Sequence, residues 1–442
     1  MNTVTRIVNI LRLAAFPLAY GLAGALVGGT LNRIMIADIG FSPALVGFFF
    51  AIPLLISPVR VWLGYRSDGF PILGRRREPY IVLGVLLTGL GIVVSTLLMI
   101  NGAVGALGVT LALSLLFALY GFGRNLGHNT FMALLSDRFT GDARARAITL
   151  YEVVTLLGLV MGAGGLGSAL ETFDPARLLA VSIGVAAIVF FLGLVAAIGQ
   201  ESQTPREETE KFVEKARDMP FGQVVREVVL ADPQIRLFFI LVIFTIVGTL
   251  AQDVLLEPYG AQVLNMDVGD TTRLTAFWGV GVMISMILSG LFLIKLLGHI
   301  TVLRAGLLSS MVVFSGLIVA GSLGNVGLFR GLVFVMGLGT GLAGAGMLTG
   351  IINFTTVVRA GLLMGVWGVA NQLGRAFGSL MGGSIVDVIL SISGNAFLAY
   401  SAVFAIEVVM LMVAFYLTTR LSVETSVAYR EAPDAAQLAA AK

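Results

Sequence analysis

The sequence predicts an all-α membrane protein of twelve transmembrane helices, arranged as two pseudo-symmetric six-helix bundles. Three observations carry this expectation. The chain of 442 residues is 57% hydrophobic and only 12% charged, about half the ~25% charge of soluble domains. Its apolar residues fall in runs that match the roughly 20 residues a bilayer span requires. Its Lys and Arg residues crowd the loops of one side and are sparse on the other, the pattern that sets membrane orientation.

The first six spans are expected at 13–37, 43–63, 80–99, 105–127, 147–169 and 178–199, and the second six at 236–257, 273–294, 301–321, 326–350, 360–386 and 396–418. Ser42-Pro43, Asp174-Pro175 and Asp232-Pro233 each place a capping side chain before a first-turn proline, a helix-start signal. Arg6 and Arg12 lead directly into a full-length apolar segment, unlike the short core of a cleavable signal. With both termini on the cytoplasmic side, the inner loops and tails hold most of the 28 basic residues, and the outer loops hold only Arg177, Arg273 and Arg330. The expected organisation is an N-terminal bundle over 1–200, a charged cytoplasmic linker over 201–235, a C-terminal bundle over 236–420 and a flexible cytoplasmic tail over 421–442.

An internal repeat supports two halves. One constant shift superimposes Gly121, Gly123, Leu126, Leu157, Gly158, Gly162 and Gly167 on Gly337, Gly339, Leu342, Leu373, Gly374, Gly378 and Gly383. Spans 4 and 5 thus echo spans 10 and 11 in the same direction. Two parallel six-helix halves are the pattern of the major facilitator fold. The rows Gly158/Gly162 and Gly374/Gly378/Gly382 have small-xxx-small spacing, which permits close helix packing.

Composition also excludes. The chain has no cysteine and two histidines, so thiolate chemistry is absent and no protein-bound metal is expected. Basic residues lie scattered over loops without aromatic interleaving, which argues against nucleic-acid binding. No phosphate loop or nucleophile–base pair stands out, so an enzyme is not expected.

Charges inside a bilayer are costly and mark function by default. In the facilitator fold, spans 1, 4, 7 and 10 face a central cavity. Their polar groups are Asn32 and Arg33; Arg124, Asn125 and His128; and Gln252, Asp253 and Glu257. Asp253 and Glu257 are four residues apart, on one helix face. Depth counting places them and Arg33 near the outer membrane edge, so Arg33 is expected to pair with one of them across the halves and close the cavity. Arg124 is expected near the inner end of span 4, paired with Glu152 of span 5, and Arg375 with Glu407 near mid-bilayer. The structural alternative in each case is a pair that only tolerates burial. The loop after span 2 reads Gly64-Tyr65-Arg66-Ser67-Asp68, then Gly74-Arg75-Arg76-Arg77. It matches a facilitator-superfamily signature in which Asp68, held by Arg75 and Arg76, forms an inner latch; for the arginines, positive-inside topology is the other reading.

Several motifs together resemble the PucC/LhaA group, the bacteriochlorophyll delivery family of the major facilitator superfamily. They are Thr30-Leu31-Asn32-Arg33-Ile34-Met35-Ile36; Gly64 to Asp68 with Gly74-Arg75-Arg76-Arg77-Glu78-Pro79-Tyr80-Ile81; Ala133-Leu134-Leu135-Ser136-Asp137-Arg138; Gln252-Asp253-Val254-Leu255-Leu256-Glu257-Pro258-Tyr259-Gly260; and Thr271 to Gly279. They spread over nearly the whole chain. The chain departs from the family pattern at Gly74, where tryptophan is expected, and at Arg124 and His128.

The resemblance implies assembly of light-harvesting complexes in the intracytoplasmic photosynthetic membrane of a bacterium. Bacteriochlorophyll, or a chlorophyll-type pigment, is the implied cargo. Antenna polypeptides and the reaction centre–antenna complex are the implied partners. Candidate pigment contacts are His128, Asn32 and Gln252. A neutral His128 imidazole can ligate a chlorin magnesium or bond a helix carbonyl. The 28 phenylalanines and 16 methionines suit an apolar pigment surface as well as lipid contact and packing. A proton-coupled transporter of a small solute is the competing reading, with Asp253, Glu257 and Glu152 as proton carriers.

Overall fold

The computed structural model describes residues 3–59, 63, 70–139, 141–201, 233–353 and 360–421. These are α1 (Thr3–Gly24, extended by π-helical turns at Ala25–Leu31 and Ile34–Ile39), α2 (Pro43–Leu55), α3 (Glu78–Asn101), α4 (Leu107–Arg138), α5 (Gly141–Ala169), α6 (Pro175–Ala197), α7 (Pro233–Leu250), α8 (Leu256–Leu264), α9 (Val268–Leu288), α10 (His299–Ser322), α11 (Val326–Asn353), α12 (Ala360–Ser393) and α13 (Ala396–Thr418). Among the described residues, 11 helices are long and apolar enough to cross a membrane, and Pro43–Leu55 is a shorter apolar helix. The chain is therefore a multi-pass membrane protein. The expected count of twelve spans depends on residues after α2 that lie outside the described ones, as do the centre of the linker and most of the tail.

Two of the helix starts form as their sequences dictate. Ser42 Oγ accepts from Leu45 N at 3.3 Å, and Asp174 Oδ1 accepts from Ala176 N at 2.8 Å and Arg177 N at 3.3 Å, each before a first-turn proline. Asp232 lies outside the described residues.

The buried apolar side chains gather into two large clusters. One includes Phe16, Tyr20, Phe49 and Phe131 from the first half. The other includes Phe238, Tyr259, Phe314 and Phe404 from the second. Val254 and Val268, although they come from the second half of the sequence, join the first cluster. The repeat reappears as contact. A Cβ at Gly158 of α5 would stand 2.2 Å from the Leu18 carbonyl of α1, and one at Gly374 of α12 would stand 3.0 Å from Ile246 of α7. Likewise α4 at Gly123 lies against Gly84 of α3, and α11 at Gly339 against Gly306 of α10. The glycines let paired helices approach where any side chain would collide.

The structure corrects two span expectations. The fourth span does not end at 127 but continues as α4 to Arg138. The seventh is not one helix ending at 257. It breaks after Leu250, passes through a 3-10 turn at Ala251–Val254, and resumes as α8. Pro258 explains the break: proline has no N–H to give, and its ring crowds the carbonyl four residues back, that of Val254.

Candidate functional site

The break leaves backbone groups that the helix would have satisfied, and buried polar groups need partners. Asn32 Nδ2 of α1 donates to the orphaned Val254 carbonyl at 3.3 Å. Glu407 of α13, fully buried, accepts from Gln252 N at 2.9 Å. One side chain from each half thus holds the interrupted segment open. Tyr259 anchors the resumed helix by donating to the Leu317 carbonyl at 2.9 Å.

Glu257 lies in the first turn of α8, where a carboxylate suits the positive helix end. It is 4% exposed. Asn32 Nδ2 donates to its Oε2 at 3.2 Å and Thr275 of α9 to its Oε1 at 2.9 Å. Thr30 and Thr272 share a hydrogen bond at 3.2 Å beside it. The expected Arg33–Glu257 pair does not form. Arg33 pairs with Asp38 of its own helix, because π-helical winding brings residues five apart onto one face. Arg33 still reaches the other half, donating to the Met266 carbonyl at 3.3 Å. The Asp253 side chain, the other expected partner, lies outside the described residues.

These contacts belong to a tight seam between the halves at the end of the bundle far from the chain termini. A Cβ at Gly29 would meet Thr275 Oγ1 at 2.4 Å, one at Gly47 the Ser379 carbonyl at 2.4 Å, one at Gly383 the Pro43 carbonyl at 2.3 Å, and one at Gly269 the Gly167 carbonyl at 2.5 Å. Gly269 N also donates to the Glu171 carbonyl at 3.3 Å. Among the described residues, the hydrogen bonds that join the halves cluster between this seam and the α7 break. Chemically the arrangement is a polar clasp: amides, hydroxyls and a guanidinium reach carbonyls, a hydroxyl and a buried carboxylate across the boundary between the halves.

The other expected site residues fall elsewhere. Arg124 does not pair with Glu152. It donates to the Tyr20 carbonyl at 3.2 Å and to the Tyr120 hydroxyl at 3.4 Å, and lies over the Tyr20 ring at 5.3 Å. Because α4 runs on to Arg138, Arg124 sits near the middle of its helix rather than near the inner end. Glu152 is exposed on α5. His128 is half-buried, with Nδ1 at 2.6 Å from the Tyr151 hydroxyl. Asn32 and Gln252 are buried to 0% and 1% exposure. Their amides bind protein: Asn32 as above, Gln252 through Nε2 to the Thr249 carbonyl at 2.5 Å. Both side-chain amides are therefore engaged within the protein. Glu407, the expected partner of Arg375, accepts from Gln252 N at the break.

At the terminal-side end, Asp68 lies outside the described residues. Arg75 pairs with Glu78, and the Arg76 guanidinium lies 3.9 Å from Glu201. Sequence reasoning missed the centre of this network, Glu201. Its carboxylate accepts from the backbone N–H groups of Arg76 at 2.9 Å and Arg77 at 2.6 Å, capping the start of α3 with an anion. Asp137 joins through Arg77 Nε at 2.9 Å. All of these residues belong to the first bundle except Glu201, which is the first residue of the linker. The signal for Asp137 was present in the Ala133–Arg138 motif; none pointed to Glu201.

A lateral apolar groove of about 370 Å³ runs between α1, α5 and α6, lined by Leu18, Leu22, Gly158, Gly162, Met161 and Ile188 among others. Met161 and Ile188 are 61% and 44% exposed, so the groove opens on the outer surface of the bundle.

Comparison with known proteins follows the same lines. A profile of the family described as "PUCC protein" matches residues 30–426. "Protein PucC" of Cereibacter sphaeroides is 31% identical over 413 residues, covering 90% of this chain and 88% of that protein. A Rhodobacter capsulatus protein described as "Uncharacterized protein in puhA-bchM intergenic region" is 30% identical over 92% of this chain and 87% of its own length. The "Bacteriochlorophyll synthase 44.5 kDa chain" of Rhodobacter capsulatus is 27% identical over 93% and 94%. Among solved structures, a bacterial homologue of the lysosomal transporter Spinster superposes with TM-score 0.71 at 14% identity, over 96% of this chain and 99% of that one. A D-xylose–proton symporter superposes with TM-score 0.67 at 14% identity, over 92% and 97%. These superpositions establish the transporter-type fold of the major facilitator proteins, and the profile match over most of its length establishes that this chain belongs to the PucC family.

Proposed function

We propose that this protein is an assembly factor for light-harvesting complexes, binding bacteriochlorophyll or delivering it to antenna polypeptides in the photosynthetic inner membrane. The observation that carries this reading is the family match over residues 30–426, with relatives named for PucC and for a bacteriochlorophyll synthase chain. The distribution of charge supports cytoplasmic termini. Arg75, Arg76, Arg77, Arg138, Lys295 and Arg304 lie at the terminal-side end, and Arg177, Arg273 and Arg330 at the far end. On this orientation the seam acts as a gate that seals the outer side.

The pigment is cargo in this reading. A neutral His128 imidazole, its Nδ1 standing 2.6 Å from the Tyr151 hydroxyl, is the candidate ligand for a chlorin magnesium. The groove between α1, α5 and α6 offers hydrocarbon-lined space to an isoprenoid tail. The gate lets the halves rock about a cavity, as facilitator halves do. Nothing in this scheme forms or breaks a covalent bond, in keeping with an accessory factor or carrier rather than an enzyme.

The test is to purify the protein from cells making pigment and record its absorption spectrum and co-purifying polypeptides. Bound bacteriochlorophyll or antenna polypeptide is expected, with less pigment in His128→Phe. A colourless preparation free of antenna polypeptides removes the reading. A second reading, a proton-coupled solute transporter, draws on the buried carboxylate of Glu257 at the gate and on the fold shared with a proton symporter. Solute-dependent proton uptake into proteoliposomes by a pigment-free preparation would favour it.

A further inference from the structure

Arg124 is a cation near the middle of a 32-residue membrane helix, where charge is tolerated only with compensation and marks ligand or ion sites. Its compensation within the protein is entirely neutral: a carbonyl, a hydroxyl and a ring face. No ion pair joins it to a carboxylate among the described residues. A guanidinium carries five donors, and only Nη1 is engaged. Nε and Nη2 have no acceptor among the described residues, and neither is among the sealed polar atoms of the protein. Beside Nη2 the wall of α1 is Gly24. One turn on, Gly28 has nothing within 4 Å of where a side chain would begin. Both glycines are partly accessible, whereas Gly21 and Gly29 are jammed against α5 and α9. The absence of side chains at Gly24 and Gly28 therefore leaves a cleft on α1 beside the uncapped side of the guanidinium, and Tyr120 and His128 lie one turn to either side of Arg124 on α4.

We propose that Arg124 is an anion-recognition site, which anchors the carboxylate or phosphate group of an amphipathic ligand whose apolar body lies in this cleft. The planar fork matches such groups through two parallel hydrogen bonds. Low surrounding polarity strengthens each of them. The ligand's charge completes the compensation that the protein leaves unfinished. This inference uses the pigment reading only to choose one of its two probes.

The full-length protein in a neutral maltoside detergent is titrated with bacteriochlorophyllide, which carries a free propionate, and with its methyl ester. Dioleoyl phosphatidic acid and the uncharged dioleoylglycerol form the second pair. Wild type is expected to bind one acid at least about tenfold more tightly than its uncharged counterpart, the scale of a charged hydrogen-bonded contact. Arg124→Gln is expected to bind the two members of that pair equally. Preference for the chlorin acid identifies a tetrapyrrole carboxylate as the ligand group. Preference for phosphatidic acid alone identifies a lipid phosphate, keeps the anion site and removes the pigment from it. Equal binding of acid and neutral partner by wild type in both pairs overturns the proposal, as does a preference that survives in Arg124→Gln. If Arg124→Gln does not fold, Arg124→Lys decides: it keeps the charge but not the fork, and an acid affinity undiminished from wild type overturns the proposal.

Discussion

Replacing Glu257 by alanine should open the far end of the bundle. The substitution removes the acceptor shared by Asn32 and Thr275 and leaves both donors facing the seam without it. Hydrogen bonds to a charged group contribute about 1.5–3 kcal/mol each. Only the Asn32 bond crosses the halves, since Thr275 and Glu257 both belong to the second; even at the low end its loss shifts the closed–open balance by about 1.5 kcal/mol, a population change of roughly tenfold. Glu257→Gln keeps an acceptor oxygen and loses the charge, so its shift should be smaller. The chain has no native cysteine, so spin labels placed at Asn101→Cys and Leu323→Cys report without background. These positions lie at the far ends of α3 and α10, one in each half. The expected double electron–electron resonance result is one short distance in wild type and an added longer population in Glu257→Ala. A distance distribution in Glu257→Ala that superimposes on wild type, with the protein folded, would refute the assignment of Glu257 to a gate.

The remaining predictions concern neighbouring contacts. Arg33→Ala should weaken the same seam, because it removes the donor to the Met266 carbonyl, while Asp38→Ala leaves that donor in place and should weaken the seam less; equal opening in the two variants, read by the same labels, would contradict this assignment. Gly158→Leu should destabilise by about 1–3 kcal/mol or more through overpacking, since even a Cβ meets the Leu18 carbonyl at 2.2 Å; an unchanged thermal midpoint counts against that close approach. Glu201→Ala should cost about 1–2 kcal/mol at the start of α3, the scale of a lost N-terminal cap. Hydrogen exchange should then quicken at the Arg76 and Arg77 amides, and unaltered exchange there means the carboxylate is not the cap.

The fold was largely legible because a bilayer imposes simple rules. Apolar run length, proline caps and the glycine repeat each depend on local chemistry, and Ser42, Asp174 and the Gly158/Gly374 pair behave as their sequences imply. The interior of the seventh span was not read correctly, although Pro258 stood in plain view. Proline at that position forces the Val254 carbonyl to seek another donor, and only the three-dimensional structure shows that Asn32 supplies it. Partner choice was the weakest inference. Counting depth along ideal α-helices puts Arg33 opposite Asp253 or Glu257, but the π-turns of α1 turn it toward Asp38. Similarly, a predicted end at 127 placed Arg124 too near the membrane surface, because the polar residues beyond it were taken as a loop and form further turns of α4. Glu201 illustrates a different limit: an anion that caps a helix more than a hundred residues earlier has no local sequence signal.

The two π-helical stretches of α1 have a geometric consequence for the whole molecule. An α-helix advances about 100° per residue, and a π-turn accommodates one residue more per turn. Resuming ordinary winding over Ala25–Leu31 with every residue kept would swing Asn32 and Arg33 around the helix axis by about that angle, away from Val254 and Met266, whereas deleting one residue as well would nearly cancel the swing. The π winding of this short stretch thus sets the azimuth of the groups that join the halves. The same rotation, made reversibly by passing the extra residue along the helix, would disengage both side chains at once without bending or translating α1.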